Sequence, residues 1–258
     1  MLSLDPSKKI DGVYFLSEKA AGSFDESTYA QVRRKEGRLY PDSIVKKLPK
    51  ISKDHPLYDE WEVRKKSCNK ISKYISNKKY KTILEVGCGN GWLTHNIAVK
   101  CRCFAVGVDL NQEELKQAAR VFGNNEKIRF IYGNILEDIF PNKFFDLIIF
   151  AASIQYFQDV NSTISSVFRF LKPAGEIHII DTNFYDKDEL ENARKRTRDY
   201  YNKLGFSVMA ENYFHHTWSE LKSFNYRILI DKFYIITKIY GKIRKAGKQF
   251  FPWIVITK

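Results

Sequence analysis

From residue 82 onward the chain alternates between short apolar runs and segments in which apolar residues recur at helical spacing. Strands that are apolar along their whole length are typical of a parallel sheet covered by helices on both faces. The alternation therefore predicts an α/β fold built on a mostly parallel sheet. The five runs are "TILEVG" (82–87), "FAVGVD" (104–109), "IRFIYG" (128–133), "FDLIIFAA" (145–152) and "EIHIID" (176–181).

The segments between these runs carry helical signatures. Asn111, followed three residues later by Glu114, fits a helix start that is close to a capping box. The residues after it predict an amphipathic helix, because its apolar side chains share one face. That face consists of Leu115, Ala118, Ala119 and Phe122, and a second such face consists of Ile164, Val167, Phe168 and Leu171.

Two further strands are predicted near the C-terminus, at "NYRILI" (225–230) and "FPWIVITK" (251–258). A basic segment without a clear helical pattern separates them. Because parallel strands need a long crossover and antiparallel strands do not, we expect a hairpin-like antiparallel edge that closes the parallel sheet.

Residues 1–80 show no strand pattern of comparable quality, and the proline-containing stretch "RLYPDSIVKKLPKISKDHP" predicts an irregular connection. Between Tyr58 and Ser76, apolar residues fall at helical spacing, with Arg64 on the same face. We therefore predict a mostly helical N-terminal cap over residues 1–80 and a sheet domain over residues 81–258. The apolar residues of that face are Trp61, Cys68, Ile71 and Ile75.

The formal net charge of +13 is unevenly distributed along the chain. Residues 1–82 carry 19 Lys and Arg against 11 Asp and Glu, and residues 232–258 carry 7 against none. Residues 83–231 carry 17 against 19. Basic ends are typical of a surface for nucleic acid, anionic lipid or a phosphorylated substrate, and equally of a solvated lysine-rich surface.

The sequence carries no pattern that predicts export, a membrane span or a metal site. The N-terminal stretch "MLSLDPSKKIDGVYFL" interrupts with acids and a proline where a signal peptide needs an apolar core, and no window approaches the roughly 18 apolar residues of a membrane span. The four cysteines, Cys68, Cys88, Cys101 and Cys103, have unpatterned spacing. We expect a cytoplasmic protein with reduced thiols and no metal site.

The stretch "ILEVGCGNGW" (83–92) places three glycines in five positions directly after the first strand. Such a turn lets a ligand approach the backbone, and the N-terminus of the following helix favours negative charge. Asp109, at the end of the second strand, can accept hydrogen bonds from both hydroxyls of a ribose. The glycine spacing is G-x-G-x-G rather than G-x-G-x-x-G, so the pattern favours a nucleotide-like ligand other than a dinucleotide.

Five motifs in order, "ILEVGCGNG", "VGVDL", "GNILED", "FDLIIFAASIQYF" and "LKPAGEIHIID", resemble those of class I S-adenosylmethionine-dependent methyltransferases. The resemblance covers the chain from Lys81 to its end. It implies a Rossmann-like sheet of seven strands with helices on both faces and an antiparallel last strand. It also implies S-adenosylmethionine as cofactor and S-adenosylhomocysteine as product.

The same resemblance implies the cofactor contacts. Asp109 would hold the ribose hydroxyls, with Leu110 against the adenine. Asn134 stands where the family usually has Asp, and its carbonyl oxygen can still accept the adenine amino hydrogen; the N–H of Ile135 would meet a ring nitrogen. Six further residues would lie around the methionine portion or the sulfonium: Glu85, Gly87, Cys88, Gly89, Ala151 and Ser153.

Methyl transfer from a sulfonium is an in-line displacement, so the enzyme chiefly positions the acceptor and excludes water. His215 or His216 is the favoured general base because histidine titrates near neutral pH, and two partly exposed loop histidines are the equal alternative. Tyr156 is a further catalytic candidate. The predicted acceptor-binding residues are Gln155, Asp181, Tyr185, Tyr213, Trp61 and Arg64.

The segment "AASIQYF" lacks the Asn/Asp-Pro-Pro-aromatic tetrapeptide, and no cysteine follows a proline. This disfavours methylation of adenine or glutamine amino groups and of cytosine C5. The leading hypothesis is a methyltransferase for a small molecule, lipid or glycan. An RNA methyltransferase using the basic termini and the segment 191–205, and a non-catalytic adenosyl-cofactor-binding protein, are the alternatives. The acceptor atom and the oligomeric state stay open.

Overall fold

The computed structural model describes residues 2–18, 26–229 and 251–258. Its strands are β1 (Lys9–Ile10), β2 (Val13–Phe15), β3 (Thr82–Val86), β4 (Phe104–Asp109), β5 (Ile128–Tyr132), β6 (Phe145–Ala151), β7 (Leu171–Ile180), β8 (Asn225–Ile228) and β9 (Ile254–Thr257). Its α-helices are α1 (Glu26–Lys35), α2 (Asp42–Val45), α3 (Tyr58–Lys78), α4 (Trp92–Cys101), α5 (Gln112–Phe122), α6 (Val160–Val167) and α7 (Lys187–Leu204). Short 3-10 turns cover Pro6–Lys8, Ile154–Tyr156, Phe168–Phe170, Ser207–Ala210 and Trp218–Leu221.

The strands form one sheet in the order β1-β2-β5-β4-β3-β6-β7-β9-β8. Strands β5, β4, β3, β6 and β7 are parallel, and β9 is antiparallel to both β7 and β8. Because side chains alternate along a strand, neighbouring residues such as Ile83 and Leu84 enter two different apolar cores, one on each face of the sheet. The predicted α/β fold with an antiparallel last strand is confirmed.

The predicted parallel strands recur with small changes at their ends. Strand β7 begins at Leu171, five residues before the predicted start, and its pairing with β6 is irregular between Phe145 and Leu147. The N-cap of α5 is also as predicted, because the Asn111 side chain accepts a hydrogen bond from the N–H of Glu114 at 3.0 Å. The predicted strand 225–230 is observed as Asn225–Ile228; Ile230 and the basic segment after it, through residue 250, lie outside the described residues.

A short hairpin near the N-terminus extends the sheet beyond the predicted seven strands. Strands β1 and β2 pair antiparallel, and β2 lies parallel to β5, with Tyr14 opposite Ile131. Asp11 and Gly12 form the turn with φ angles of 50° and 83°. The hairpin thus adds two short strands to residues 1–80, where the sequence showed no strand pattern of comparable quality. The Asp-Gly pair is a strong signal for a two-residue hairpin turn, and our sequence analysis overlooked it.

The remaining N-terminal residues form a mostly helical cap, as predicted. The predicted apolar face of α3 is buried, and its side chains join the same core as α4 and α5. Helix α1 packs elsewhere, against α7 and the segment that follows it, through Tyr29, Val32, Tyr201 and Met209. The cap therefore bridges two distant parts of the sheet domain; the boundary at residue 80 stays a prediction.

A buried polar network ties α3 to the antiparallel edge of the sheet. Glu176, on β7, accepts hydrogen bonds from the Tyr74 hydroxyl at 2.7 Å and from Arg227 at 2.9 Å, and it lies 3.1 Å from His178 Nε2. The indole N–H of Trp253 donates to His178 Nδ1 at 3.2 Å. Burial alone would raise the pKa of Glu176, but these partners hold it far below its usual value.

Candidate active site

A cavity of about 520 Å³ opens at the carboxyl ends of β3, β4 and β6. The position is the point at which the strand order reverses, since β3 has β4 on one side and β6 on the other. Ligands of open α/β sheets bind in this crevice, and the volume suits a small-molecule cofactor. All ten residues predicted to contact the cofactor line it: Glu85, Gly87, Cys88, Gly89, Asp109, Leu110, Asn134, Ile135, Ala151 and Ser153.

The glycine-rich turn brings bare backbone to the cavity wall. Gly87 has a φ of 73°, and a Cβ atom there would lie 2.5 Å from Ser153 Cβ. Gly91 has a φ of 72° at the N-cap of α4, where a Cβ would lie 2.5 Å from the ring of Phe130. Both positions therefore require glycine for two reasons, the left-handed backbone and the close packing. The Ser153 hydroxyl donates to the carbonyl of Val86 at 2.5 Å and braces this turn.

Glu85 lies on the floor of the cavity and is almost fully buried. The Thr94 hydroxyl, on α4, donates a short hydrogen bond to its carboxyl group. Burial raises the pKa of Glu85 to about 8, an effect that the Thr94 hydrogen bonds only partly oppose. Glu85 therefore carries a proton near neutral pH and joins strand β3 to helix α4 below the ligand.

Asp109 ends β4 beside the glycine turn. Its carboxylate accepts the N–H of Gly89 at 2.7 Å and the N–H of Asn111 at 2.8 Å. These bonds fix the orientation of the carboxylate and leave further lone pairs for hydroxyl donors from the cavity. Burial raises the pKa of Asp109, and the same two N–H groups oppose that rise.

The loop after β5 supplies the wall at Asn134 and Ile135. Asn134 Oδ1 accepts the N–H of Leu136 at 3.1 Å, while the N–H of Asn134 donates to Ser17 Oγ at 2.9 Å. Ser17 also donates to Glu137 at 2.8 Å. The N-terminal hairpin segment thus braces the loop, a contribution that motif spacing alone did not indicate.

The cap forms the opposite wall of the cavity, where sequence analysis had placed only Trp61 and Arg64. The indole of Trp61 is buried, donates to the Tyr40 hydroxyl at 2.9 Å and lies edge-on to Trp92. The guanidinium of Arg64 lies over the Trp61 ring at 5.5 Å. Three residues of this wall were missed, because only the tertiary fold brings α1 and the residues that follow it to the cavity: Tyr29, Arg33 and Arg38.

Glu114 was identified from sequence only as part of a helix cap, yet it also lines the cavity. Its carboxylate oxygens lie 3.3 Å from the position that a Cβ on Gly89 would take. Burial raises the pKa of Glu114 to about 7, and the guanidinium of Arg33 opposes that rise. Its place one turn into α5, after the acidic end of β4, is the signal that could have found it.

Tyr156 lines the cavity directly after β6. Its ring packs edge-on against Tyr29 of the cap, with centroids 5.9 Å apart, and edge-on against Tyr213 at the same distance. Burial raises the pKa of the Tyr156 phenol, and nearby Arg33 opposes that rise. Of the three predicted catalytic residues, Tyr156 is the one at the cavity wall.

The two histidines lie instead beside a second cavity of about 650 Å³, between α7 and the segment 207–217. His216 is buried, with Nε2 3.2 Å from the carbonyl oxygen of Ile154 and Nδ1 3.3 Å from Glu220. His215 Nε2 lies 2.9 Å from the Thr197 hydroxyl, and burial lowers its pKa to about 4. Both rings have internal partners, so we do not carry either forward as the base.

Three predicted acceptor-binding residues also serve the framework. Gln155 is buried and donates to the carbonyl of Ala152 at 2.6 Å. Asp181 accepts the Ser67 hydroxyl at 2.5 Å, and burial raises its pKa. The N–H of Tyr185 donates to the carbonyl of His216 at 3.0 Å. None of the three belongs to the described lining of the 520 Å³ cavity, whereas Tyr213 borders the second one.

A family model described as "Methyltransferase domain" matches residues 77–248, well over half of the chain. The chain belongs to the methyltransferase domain family. The match includes the glycine turn, Asp109 and the segment after β6, which form the cavity.

Curated relatives match over the middle of the chain. A malonyl-[acyl-carrier protein] O-methyltransferase of Priestia megaterium is 33% identical over 110 residues, covering 42% of this chain and 39% of the relative. The sterol 24-C-methyltransferase ERG6B of Gibberella zeae is 28% identical over 120 residues, covering 44% and 32%. The chain thus spans less than half the length of these relatives.

Solved structures share the fold over more of the chain. Magnesium protoporphyrin IX methyltransferase from Synechocystis PCC 6803, solved with bound SAH, has a TM-score of 0.56 at 12% identity, covering 90% of this chain and 96% of that one. The plantazolicin methyltransferase BpumL, also solved with SAH, has a TM-score of 0.54 at 17% identity and the same coverages. At these identities the likeness shows the Rossmann-like methyltransferase fold.

No helix in the ranges 2–18, 26–229 and 251–258 combines the length and apolar character needed to cross a membrane. The same ranges contain no group of three or more His, Cys, Asp and Glu residues placed to hold a metal ion.

Proposed function

We propose that the protein is an S-adenosylmethionine-dependent methyltransferase that acts on a small-molecule or lipid acceptor, and that it works in the cytoplasm. The observation that carries the proposal is the convergence of all ten predicted cofactor residues on one cavity at the switch point of the sheet. SAH in two structures of the same fold supports the choice of cofactor. The malonyl-[acyl-carrier protein] and sterol methyltransferases among the relatives support the acceptor class.

The cavity fits the cofactor in three ways. The bare backbone at Gly87 leaves a cradle that a Cβ would fill. The carboxylate of Asp109 is oriented by two N–H donors and can accept both ribose hydroxyls. Leu110 and Ile135 offer apolar surface for a base. When bound, the cofactor supplies a methyl group activated by its sulfonium.

The chain's own contribution is positioning. The glycine turn and Asp109 hold one side of the cavity, while the cap residues Trp61 and Tyr29 cover the other side and exclude water. Tyr156 lies between the sheet and the cap, where its hydroxyl can orient an acceptor.

The alternative of an RNA methyltransferase has less support from the described residues. The basic helix α7 pairs its cations with its own acids, with Arg194 3.2 Å from Glu191 and Lys195 2.6 Å from Asp199. Paired surface cations release fewer counterions on binding a phosphate backbone. No relative described above acts on RNA by its printed name, so we keep the small-molecule or lipid acceptor.

The test uses purified protein, methyl-labelled S-adenosylmethionine and cell extract fractionated into small molecules, lipids, glycans, RNA and protein. We expect label in the small-molecule or lipid fraction. Asp109→Ala should remove both the label and most of the cofactor affinity measured by calorimetry, because roughly 1.5–3 kcal/mol is typical of a hydrogen bond to a charged group. Asp138→Ala, which removes an exposed carboxylate, is the matched control.

Three results would contradict the proposal. Absence of cofactor binding would exclude a methyltransferase, and binding without label in any fraction would favour the non-catalytic alternative. Label confined to RNA would contradict the acceptor class.

A further inference from the structure

Three arginines of the cap face the cavity from the wall opposite the glycine turn. Arg33 lies on α1, Arg38 follows it in the chain, and Arg64 lies on α3. All three are partly buried, with side chains exposed by 25%, 22% and 21%. Arginines gathered at a recessed wall are the residues that proteins use for planar anions, because the guanidinium fork matches a carboxylate.

Two carboxylates partly neutralise this arginine cluster from behind. Glu60 accepts both terminal nitrogens of Arg38, at 2.6 and 2.7 Å, and also binds Arg64 at 2.7 Å. Glu36 lies 3.2 Å from Arg38 and 3.5 Å from Arg33. Three guanidinium groups therefore stand against two carboxylates behind them, so the cluster has more cations than anions on that side.

Arg33 is the arginine of the cluster that carboxylates hold least tightly, since its contact with Glu36 is 3.5 Å long, whereas Arg38 and Arg64 bind Glu60 at 2.6–2.7 Å. Its Nε donates to the Tyr29 hydroxyl at 2.9 Å, and its contact with Glu36 is long. In the described parts of the chain, these two contacts engage only part of the five N–H groups of its guanidinium. Because Tyr29 contacts both Arg33 and the ring of Tyr156, the guanidinium and Tyr156 lie at the same end of the cavity.

The surroundings of Arg33 are aromatic. Tyr29 and Tyr156 pack edge-on, and Tyr213 continues the stack beyond them. Large aromatic side chains bind apolar bodies and bring a polar tip with them. This end of the cavity thus combines an apolar wall with a cationic fork.

The floor of the cavity carries carboxylates of its own. Asp109 is held by the N–H groups of Gly89 and Asn111, and Glu85 by Thr94. Asp109 acts on Arg33 electrostatically, and so does Glu114. Removing the charge of Glu114 should therefore strengthen the binding of an anion at Arg33.

We propose that the methyl acceptor is an organic monocarboxylate with an apolar or aromatic body, and that Arg33 binds its carboxylate while Tyr29 and Tyr156 contact the body. This inference rests on the proposed function and specifies its substrate class. Arg33 contacts Tyr29, which packs on Tyr156 after β6. Arg64 lies over Trp61 instead, which packs on Trp92 at the start of α4. A carboxylate at the cofactor's methionine end would thus meet Arg64 rather than Arg33.

The experiment measures binding of matched probes to the SAH complex. Hydrocinnamate is compared with hydrocinnamamide, and octanoate with octanamide, by ligand-observed NMR and calorimetry. We expect at least one acid to bind about tenfold more tightly than its amide, since charge-assisted hydrogen bonds are roughly twice as strong as neutral ones. Arg33→Gln should bring that ratio close to one while SAH affinity stays within about twofold, and Glu114→Gln should tighten acid binding.

Arg34→Gln is the matched control, because Arg34 is the exposed neighbour on the same helix. If Arg33→Gln does not fold, Arg33→Lys keeps the charge without the fork and should weaken acid binding. Equal binding of acids and amides, binding of neither, or a preference for phenylphosphonate over the acids would overturn the proposal. So would an Arg33→Gln protein that loses SAH affinity but keeps the acid-to-amide ratio. SAH binding is measured first; its absence refutes the proposed function, whereas SAH binding without acid selectivity refutes this inference alone.

Discussion

At the level of single residues, the glycine turn shows how local backbone geometry creates the ligand site. Gly87 and Gly205 have similar φ angles, 73° and 78°, in the left-handed region. A Cβ at Gly87 would collide with Ser153, whereas a Cβ at Gly205 would meet Lys35 Nζ at an ordinary 3.8 Å. Alanine substitutions at these two positions therefore distinguish the free-energy cost of the left-handed backbone from the additional cost of a clash with Ser153.

We predict that Gly205→Ala lowers the free energy of unfolding by about 1 kcal/mol and leaves cofactor affinity unchanged, because only the left-handed conformation is penalised. Gly87→Ala should cost more stability and also weaken cofactor binding at least about tenfold, because Ser153 must move. Chemical denaturation and calorimetry measure the two effects. If Gly205→Ala and Gly87→Ala lost the same stability and bound the cofactor with the same affinity, the role of the bare backbone at Gly87 would be contradicted.

A second prediction at this scale concerns Glu85 and pH. Its pKa of about 8 in the folded protein lies above the ordinary 4.5, so the folded state binds this proton more tightly than the unfolded chain. Stability should therefore fall as the pH rises from about 4.5 to about 8, by a few kcal/mol, and level off above that. Glu85→Gln mimics the protonated carboxyl group and should flatten this dependence.

The measurement is chemical denaturation of ligand-free protein at several pH values between 5 and 9. Asp109 and Glu114 also have raised pKa values and contribute a slope of the same sign, so the difference between wild type and variant carries the test. Glu126→Gln, at an exposed site, should leave the slope as it is. If the free energy of unfolding of Glu85→Gln changed with pH in parallel with that of wild type, Glu85 would have an ordinary pKa in the folded protein.

At the level of elements, helix α1 covers the cavity by packing on α7. Val32 and Tyr29 are buried against Tyr201. Two polar contacts support the packing, from Lys35 Nζ to the carbonyl of Leu204 at 2.7 Å and from the Tyr200 hydroxyl to Glu36 at 2.7 Å. Because α1 carries Arg33 and Tyr29, this docking decides whether the acceptor side of the cavity forms.

We predict that Val32→Ala loosens α1 without disturbing the sheet. The two lost methyl groups correspond to about 1.5 kcal/mol of buried apolar surface. Hydrogen exchange should accelerate in residues 27–35 and stay unchanged in β3, and the KM for the acceptor should rise more than the Kd for the cofactor. Val208→Ala, at an exposed valine, is the control. Faster exchange throughout the sheet would mean that α1 does not open on its own.

At the level of the whole molecule, the network around Glu176 connects the cap to the last strands. Tyr74 comes from α3, Arg227 from β8 and Trp253 from the residues before β9, and all meet on β7. Buried carboxylates are stable only when such donors satisfy them. The network therefore holds together segments that are nearly 180 residues apart in the chain.

We predict that Glu176→Gln destabilises the protein by roughly 3 kcal/mol, because the site of Glu176 is buried and its contacts with His178 and with the more exposed Arg227 lose their charged partner. The pKa of Glu176 is depressed in the folded state, so its contribution is present above the ordinary pKa of 4.5 and is lost as the pH falls below it. Denaturation at pH 7 and pH 4 should show a smaller difference between wild type and variant at pH 4. Glu62→Gln, in a surface pair with Lys65, should cost under about 1 kcal/mol, and an equal loss in the two variants would contradict the role of the network.

The sequence by itself determined the parallel sheet, the glycine turn and the cofactor side of the cavity. Those features depend on local patterns, since apolar runs, left-handed glycines and Asp109 at a strand end act within a few residues of each other. The Asp11-Gly12 hairpin is equally local, because an Asp-Gly pair is itself a signal for a two-residue turn.

Only the tertiary structure decided the acceptor side. Arg33 and Tyr29 reach the cavity because α1 docks on α7, more than 150 residues away in the chain, and no spacing rule encodes that docking. The same long-range packing gives the ring nitrogens of His216 internal partners and leaves Tyr156 at the wall. Contacts between distant segments depend on the sum of many weak packing interactions, so no local sequence pattern predicts them.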